Sequence, residues 1–504
     1  MGSALLSGVS GLQANQQMID VAGNNLANMN TYAYKASRLS FADLLSTTVK
    51  EASQPTSTIG GSNPQQVGNG VTVASISRNM TQGGLVNTGQ PLDMAMEGAG
   101  YFVLSDGSKE VYSRVGSFSV DSQYYLVDPS TGYRVQRIGS EGVEAGFQSS
   151  TSNSIRIPYD VALPAKATTS VDFNGNLIAD QTNPTTNVLS SGLSFTSSEA
   201  TATRDTLIAD LDQATGGTVV GGTIRIRGAD SDGSAVDNLG SEFTIAADST
   251  VGDLLDAISA LYSGATATVV NGEIRLTDDS AGYSQTDLLL SYSDGTGALE
   301  LPKYFRVLTA GGEQSWDVNV EVFDSLGVSH ILSGAFVRTD TANTWDMVMT
   351  QMTGDVSIVD RRIKGISFMT DGAYGGLVET TPAETPTFSV KYPHDPDSEV
   401  TLTMNFGTVG EYDGLSQFGS STGGNDSTVA ASGQDGYASG WLSSVSVTRE
   451  GVLVGVFTNG IRSDLAAMKI ATFQNDAGLE SIGNNYYGTS ANSGEPVPTR
   501  GLSG

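Results

Sequence analysis

The N-terminal residues follow a helical pattern that places large apolar side chains on one side only. Leu5, Leu12, Ile19 and Leu26 recur every seven residues, and Val9 lies at an interleaved position of the same heptad. These five residues are called the apolar stripe below. Glycines within the pattern lower the intrinsic stability of the helix by roughly 1 kcal/mol each relative to alanine. The helix should fray alone in water, so the stripe must be covered by this chain or by another molecule.

The segment after the helix does not read as a domain that could cover the stripe. Residues 51–70 read EASQPTSTIGGSNPQQVGNG, a composition that predicts an extended connector. We therefore place an axial helix at residues 1–30 and the connector at residues 31–70. Docking on its own domain is the commoner fate of an amphipathic helix. The connector instead favours a helix held away from the main mass, with its stripe covered by further copies of the same chain.

The rest of the chain has the composition of a turn-rich β protein. The full sequence contains 61 glycines, and only 16% of its residues are charged. Alternating runs such as VTVASIS, LDMAM and YFVLS fill the region from Val71 to about Ile157, and a similar rhythm returns from about Val400. This alternation predicts β-hairpins near both ends of the chain.

If the strand-rich segments near the two ends of the chain fold into one domain, the residues between them form an insertion. The sequence therefore predicts nested domains. We predict one β domain from residues 71–160 and 380–500, and an inserted β domain from residues 161–194 and 301–379. Within the insertion, STVGDLLDAISALYSG has helical apolar spacing behind a Ser-Thr cap and is flanked by strand-like segments. Residues 195–300 should therefore form an outermost α+β insertion module. The predicted fold class is a mainly β multidomain protein with an N-terminal α-helix, nested β domains and this one small α+β module.

The charge balance excludes several classes of partner. There are 25 Lys and Arg residues and 54 Asp and Glu residues, a formal net charge of −29, so nucleic acid and anionic bilayers would repel the chain. The absence of cysteine excludes disulfides and Cys-ligated metals. No run of about 18 apolar residues predicts membrane insertion, and the N-terminus lacks the features of a cleavable secretory signal. If the chain leaves the cell, we expect another export route.

The sequence offers few candidates for a catalytic site. Its two histidines, His330 in GVSHILSG and His394 in YPHDPDS, are expected to have structural roles. GSSTG, residues 419–423, matches the G-x-S-x-G pattern but lacks the strand and helix that would strain the serine. ADSDGSAVD, residues 229–237, lacks the spacing and closing glutamate of a calcium loop. We expect no enzymatic activity, no cofactor and no metal site.

The N-terminal helix and the residues after it carry a family pattern. SGLQANQQMIDVAGNNLANMNTYAYKASRLSFADLL resembles the N-terminal signature of the bacterial flagellar axial proteins, the rod and hook family. That signature consists of a small-residue helix, a GNN-hydrophobic-AN core and a Tyr/Phe-Lys turn. In this chain its residues are Gly23, Asn24, Asn25, Leu26, Ala27, Asn28, Tyr34 and Lys35.

Later segments resemble the same family. QVGNGVTVASISRNMTQGGLVNTGQPLDMAMEGAGYFVLSDG is similar to the segment after the connector, and DGYASGWLSSVSVTREGVLVGVFTNGIRSDLAAMKI is similar to the returning half. Rod members are much shorter than this chain, whereas hook members carry large β domains between the conserved halves. LPAKATTSVDFNGNL and SWDVNVEVFDSLGVSHILSG look like strands of those hook domains. The resemblance therefore implies the hook branch of the family.

The resemblance implies a structural subunit of the flagellar hook that self-assembles into a curved helical tube and acts as a universal joint between rod and filament. Its implied partners are copies of itself, the distal rod, the hook cap, the hook–filament junction proteins and the flagellar type III export apparatus. Its implied location is the extracellular hook of the flagellar basal body, with the apolar stripe as polymerisation interface. The alternatives are another axial component, such as a distal rod or hook-associated protein, and a secreted β-rich adhesin or enzyme.

Two further expectations follow from the resemblance. Members of the family usually close with a second amphipathic helix that packs on the first, whereas this chain stops at PVPTRGLSG. We therefore expect the stripe to have fewer partners within the chain. The connector around residues 54–70 would act as a flexible coupling between the tube and the outer domains.

Overall fold

The computed structural model describes residues 2–236, 241–378, 385–420 and 426–500. These residues are mainly β, as the composition predicts. Two α-helices occur among them, α1 (Gly2–Ala27) and α2 (Val251–Leu261), together with two 3-10 turns at Ile208–Asp210 and Asp476–Gly478. The predicted fold class, mainly β with an N-terminal helix, is therefore confirmed.

The strands of the described residues follow in chain order. The first ten are β1 (Ser37–Asp43), β2 (Thr47–Lys50), β3 (Gln65–Val67), β4 (Val71–Arg78), β5 (Tyr101–Ser105), β6 (Glu110–Ser113), β7 (Ser119–Val120), β8 (Leu126–Val127), β9 (Arg134–Val135) and β10 (Arg137–Ile138). The next eleven are β11 (Ser170–Ile178), β12 (Val188–Ser190), β13 (Thr196–Ser197), β14 (Ala200–Thr201), β15 (Ala214–Thr215), β16 (Thr223–Ala229), β17 (Glu242–Thr244), β18 (Ala265–Val270), β19 (Glu273–Asp278), β20 (Asp287–Ser293) and β21 (Ala298–Leu299).

The remaining strands are longer in the middle of the chain. They continue with β22 (Arg306–Thr309), β23 (Ser315–Phe323), β24 (Ser329–Arg338), β25 (Thr344–Met352), β26 (Ser357–Asp360), β27 (Arg362–Phe368), β28 (Tyr374–Leu377), β29 (Thr387–Lys391), β30 (Val400–Asn405), β31 (Leu415–Phe418) and β32 (Ala430–Gln434). The last are β33 (Leu442–Val447), β34 (Val452–Phe457), β35 (Arg462–Met468), β36 (Ile470–Thr472), β37 (Glu480–Gly483), β38 (Tyr486–Gly488) and β39 (Val497–Thr499).

Both flanks of the chain contribute to the first of two compact units, residues 1–163 with 440–504. Its largest sheet has the order β37-β38-β6-β5-β9-β8-β7, and β36 pairs with β5 and β39. The pairing of Phe102 with Ile470 joins the flanks directly, beside the fully buried Tyr101. A second sheet, β10-β35-β34-β33, joins them again. The two flanks thus share their sheets, as a domain built from both ends requires.

The second unit comprises residues 164–439, so the returning flank begins at residue 440 rather than at the predicted residue 380. Strands β29 to β32 belong to a six-stranded sheet around β11. There β11 pairs in parallel with β30 and β31 and antiparallel with β32. Alternation of apolar and polar residues predicts a strand, but it does not determine which sheet that strand joins. The boundary was therefore misplaced, although the return of strand-like alternation from about Val400 was predicted.

The α+β module shares a core with the neighbouring sheet β23-β24-β25-β27-β28. Helix α2 begins at a capping box in which Thr250 and Asp253 exchange hydrogen bonds, as the Ser-Thr cap predicts. Its buried residues lie in one cluster with Ala335, Val337 and Val348 of that sheet. The module extends beyond both ends of the predicted range of residues 195–300. Its sheet β18-β19-β12-β22 includes β12 and β22, which lie outside that range.

One carboxylate joins the two ends of the second unit. Asp435 Oδ1 accepts hydrogen bonds from the N–H groups of Thr169 and Ser170 at 2.8 and 2.9 Å. Its Oδ2 accepts from Thr169 Oγ1 at 2.8 Å and from Lys166 Nζ at 3.0 Å. Burial alone would raise the pKa of Asp435, but the backbone hydrogen bonds outweigh burial and hold that pKa well below its usual range. The ionised carboxylate of Asp435 thus binds residues 166–170, where the chain enters the second unit, to the segment where the chain leaves it.

Replacing Asp435 by asparagine should lower the free energy of unfolding by about 1–3 kcal/mol, because the charged acceptor of these donors is lost. A carboxylate with a depressed folded pKa stabilises at neutral pH, and this stabilisation is lost as the pH falls below the ordinary carboxyl range. Urea unfolding of the wild type and Asp435→Asn at about pH 7 and about pH 3 measures both effects. Asp317→Asn, an exposed position on β23, is the control. An equal difference at both pH values would contradict the role given to Asp435.

Candidate self-association surface

The apolar stripe is exposed on the folded chain. Leu5, Leu12, Ile19 and Leu26 are 72, 74, 66 and 70% exposed, and Val9 is 49% exposed. Leu6 and Met18 on α1, and Met29 just after it, are exposed as well. Large contiguous apolar patches are rare on monomeric soluble proteins and mark interaction sites. The described residues of the chain therefore leave the stripe uncovered.

The other side of α1 is docked on the first unit, which corrects the predicted helix held away from the main mass. Ala14 is only 4% exposed, and Ser10 Oγ accepts a hydrogen bond from the Val71 N–H at 3.3 Å. Gly70 has a φ of +117°, and a Cβ there would lie 2.2 Å from Ser10 Oγ. Glycine at this position both adopts the backbone conformation and lets the helix approach closely.

The support for α1 is a two-stranded ribbon of β1 and β4. The ribbon runs antiparallel from the pair Ser37 and Arg78 to the pair Asp43 and Val71. Beyond it, β2 pairs with β3 in a second ribbon. The predicted connector at residues 31–70 thus contains the three hydrogen-bonded strands β1, β2 and β3. The partner of β1 is β4, which lies outside the connector, so the composition of the connector alone could not indicate that pairing.

Helix geometry keeps the two faces of α1 apart. At about 100° of rotation per residue, the members of the apolar stripe lie roughly 120–180° around the helix axis from Ala14. The docked face therefore carries mainly small and polar side chains, together with the half-buried Val21, and the stripe points away from the ribbon. A surface helix of a globular protein normally buries its apolar face. In α1 the apolar stripe is exposed instead, and the opposite face is the one that is docked.

Part of the family signature forms a hydrogen-bonded joint between α1 and β1. Asn25 Oδ1 accepts from the Ser37 N–H at 2.9 Å, and Asn25 Nδ2 donates to the Ser37 carbonyl at 2.8 Å. Tyr34 Oη donates to Asn25 Oδ1 at 3.0 Å and accepts from Asn24 Nδ2 at 3.4 Å. Asn28 Nδ2 donates to the Asn24 carbonyl at 3.0 Å. These contacts fix the direction in which the chain leaves the helix.

The remaining signature residues have different surroundings. Lys35 Nζ donates to the Thr81 carbonyl at 2.7 Å, and burial lowers the pKa of Lys35. Leu26 and Ala27 are exposed, and a Cβ at Gly23 would meet no heavy atom within 4 Å. Packing within the chain therefore accounts for the Asn, Tyr and Lys residues of the signature. It does not account for Gly23, Leu26 or Ala27.

The other sequence candidates do not form a site at this surface. Asp237 and residues 421–423 lie outside the described residues. Asp230 accepts hydrogen bonds from Ser263 N–H and Oγ at 3.0 and 2.7 Å. Among the described residues, no group of three or more His, Cys, Asp or Glu side chains is arranged to hold a metal ion. No helix in the described part of the chain has the length and apolar character needed to cross a bilayer.

Three family profiles match successive parts of the chain. The profile described as flagella basal body rod protein matches residues 5–35, which contain most of α1 and the joint. The profile of the flagellar hook protein FlgE/F/G D1 domain matches residues 95–179. The profile of the flagellar basal body protein FlaE D2 domain matches residues 297–437, within the second unit.

Relatives match along the full length of the chain. A flagellar hook protein FlgE of Treponema pallidum is 30% identical over 513 positions, covering 100% of this chain and 89% of the relative. One of Borreliella burgdorferi is 29% identical and covers 100% of this chain and 88% of its own length. A flagellar basal-body rod protein FlgG of Bacillus subtilis is 39% identical, but over only 26% of this chain and 50% of its own. A crystal structure of Helicobacter pylori flagellar hook protein FlgE2 has a TM-score of 0.42 and 17% identity, covering 81% of this chain and 94% of that one.

Replacing Asn25 by alanine should loosen the joint, because the Ser37 backbone then loses both of its hydrogen bonds to the Asn25 side chain. Each such hydrogen bond contributes about 1 kcal/mol, so amide hydrogen exchange at the start of β1 should accelerate by roughly tenfold or more. Exchange measured by mass spectrometry on the unassembled chain tests this. Asn15→Ala is the matched control, since Asn15 Nδ2 bonds only within α1, to the Gly11 carbonyl. Unchanged exchange in Asn25→Ala would contradict the joint.

Proposed function

Because the chain belongs to the flagellar hook protein family and is a structural subunit of the hook, we propose that the apolar stripe of α1 is the surface through which its copies polymerise. The observation that carries this proposal is the exposure of the stripe while the opposite face of α1 is docked. In the tube, neighbouring α1 helices lie side by side and cover each other's stripes. Apolar burial stabilises by about 25 cal/mol per Å², and here that stabilisation is gained on assembly.

The charge distribution supports a bundle of α1 helices. The whole chain carries a formal charge of −29, which opposes close packing of its copies. Within Gly2–Ala27, however, Asp20 is the one side chain that ionises at neutral pH. Side-by-side copies of α1 therefore bring few like charges together, while the acidic surface elsewhere keeps unassembled copies soluble.

The glycines of α1 support the same surface. A Cβ at Gly8, Gly11 or Gly23 would meet no heavy atom within 4 Å, so packing within the chain does not require glycine at these positions. Each glycine nevertheless costs roughly 1 kcal/mol of helix stability relative to alanine. Gly23 lies roughly 180° from Ala14 around the helix axis, on the exposed side. We infer that a neighbouring helix approaches α1 there.

The proposed tube is the curved hook, which bends as a universal joint while it transmits torque from rod to filament. Bending requires neighbouring subunits to slide, so the outer domains meet through small, polar and hydrated contacts. Only 16% of the residues are charged, which limits the fixed ion pairs that would oppose sliding. The proposed end partners are the distal rod, the hook cap and the hook–filament junction proteins. The proposed route to the outside is the flagellar type III apparatus.

A distal rod component is the second candidate, because the rod protein profile matches residues 5–35. That match is confined to α1 and its joint, the part that resembles axial proteins in general. The Treponema pallidum and Borreliella burgdorferi relatives, which align with the whole chain, are both hook proteins. Deletion in the native bacterium separates the candidates: loss of a hook subunit leaves complete rods without hooks, whereas loss of a rod component leaves the rod itself incomplete.

Ile19→Asp should block tube formation while leaving both units folded, because it places a charge in the stripe on a face with no contact in the single chain. Gln17→Asp is the matched control, since it adds the same charge roughly 160° away around the helix. Sedimentation and electron microscopy measure assembly, and circular dichroism measures folding. Normal tubes from Ile19→Asp would refute the interface. So would an equal loss of assembly in Gln17→Asp.

Gly23→Ala should have opposite effects on the single chain and on the polymer. The free energy of helix formation in the unassembled chain should become more favourable by up to about 1 kcal/mol, because alanine is the better helix former. The critical concentration for assembly should rise, because the added methyl group occupies the proposed contact with a neighbouring helix. Helix content and critical concentration are measured on the same preparation. A lower critical concentration would contradict the close approach at Gly23.

A further inference from the structure

The two histidines of the chain converge on one carboxylate in the second unit. Asp324 Oδ2 lies 3.4 Å from His394 Nδ1 and 3.5 Å from His330 Nε2. On the far side of its ring, His394 Nε2 lies 2.9 Å from Ser325 Oγ. A serine hydroxyl, an imidazole and a carboxylate therefore stand in the order that nucleophilic serine sites use.

The groups around His394 favour one tautomer of its imidazole. The contact with Asp324 is an ion-pair distance rather than a hydrogen bond, but a carboxylate oxygen 3.4 Å from Nδ1 favours a proton on that nitrogen over a lone pair. His394 Nε2 then presents its lone pair to the Ser325 hydroxyl, which donates to it. This tautomer is the one in which the imidazole can act as a general base toward the serine.

Asp324, which orients His394, is buried, whereas the Ser325 hydroxyl is accessible. Asp324 is 2% exposed, and its Oδ1 accepts from the N–H groups of Leu326 and Val328, both at 2.9 Å. Tyr392 stacks on the His394 ring with centroids 5.8 Å apart and planes inclined by 16°. Ser325 itself is exposed. The arrangement thus combines a fixed orienting carboxylate with a nucleophile that a small reagent can reach.

We propose that Ser325 is an activated nucleophile that takes up an acyl or phosphoryl group from an activated ester, with His394 as general base and Asp324 as a positioning residue. Ser325 Oγ forms the new bond to the carbonyl carbon or phosphorus, while its proton passes to His394 Nε2. The bond from that atom to the leaving group breaks with its electron pair. The imidazolium then returns the proton to the leaving group or to water. The product is a covalent ester at Ser325.

The turn between β23 and β24 should prevent rapid catalytic turnover, so that Ser325 is modified once rather than acting repeatedly. The N–H groups of Leu326 and Val328 are engaged by Asp324 Oδ1, and the Gly327 N–H donates to the Asp324 carbonyl. None of these three donors is free to stabilise a developing oxyanion, which is usually a large part of serine-enzyme catalysis. Ser325 should therefore react once with an activated reagent and lose the group slowly.

A fluorophosphonate probe, which loses fluoride on reaction with serine, tests the proposal on the full chain. Mass spectrometry after proteolysis should find Ser325 labelled about 100-fold faster than other exposed serines, the low end of what general-base catalysis supplies. The Ser325 adduct should be absent in Ser325→Ala, and His394→Gln should lower its rate of formation about 100-fold. Ser329→Ala, on β24 of the same hairpin, should leave the rate unchanged.

Two outcomes would overturn the proposal. One is labelling of Ser325 no faster than that of other exposed serines, and the other is a wild-type rate in His394→Gln. Circular dichroism of each variant reports folding, so that a misfolded chain is recognised. The wild type alone provides a test that needs no variant, because the rate should fall in acid as the imidazole takes up a proton. A rate at Ser325 that does not change with pH would exclude His394 as the base.

Discussion

The contrast between the docked face and the exposed apolar face of α1 is the constraint on which the proposed assembly through this helix depends. Most helices in proteins owe their stability to the burial of an apolar face against their own domain. The docked face of α1 instead carries Ser10, Ala14 and Asn25, which contribute close approach and hydrogen bonds but little apolar area. The single chain therefore orients the helix without using the interaction that would stabilise it most. Under the proposed polymerisation through the apolar stripe, that interaction is made with neighbouring copies, which couples helix stability to polymer stability.

The second unit is inserted in a way that leaves the first unit intact. Within the first unit, Leu163 and Gly440 pair in a β-bridge where the insertion begins and ends, and Lys166 and Tyr437 do the same inside the second. An insertion whose ends lie close together adds no loop to the domain that receives it. Helix α1 and its ribbon belong to the first unit, so the second unit enlarges the chain without interrupting the sequence of α1, β1 or β4. Under the proposal that the apolar stripe is the polymerisation interface, the subunit can gain size without a change in that surface.

The sequence predicts the features of this protein that depend on local spacing. The heptad of α1 predicts the helix, and the Ser-Thr cap predicts α2 because the capping residues are adjacent in sequence. It does not predict the ribbon, because the pairing of β1 with β4 and the fit of Gly70 against Ser10 depend on residues far apart in the chain. The boundary at residue 440 was missed for the same reason. The contact between Ser325 and His394 joins a turn and a distant loop, so no motif spacing could indicate it.

The carboxylate of Asp324 connects the proposed chemistry with the architecture. One of its oxygens fixes the turn between β23 and β24, and the other faces both imidazoles. In that turn, a Cβ at Gly327 would lie 2.7 Å from the Ala165 side chain and 3.3 Å from Ala438 Cα, so the turn packs where the chain enters and leaves the second unit. A substitution of Asp324 would therefore disturb folding and reactivity together. Ser325 and His394 are exposed and take no part in that packing, and their removal separates the chemistry from the fold.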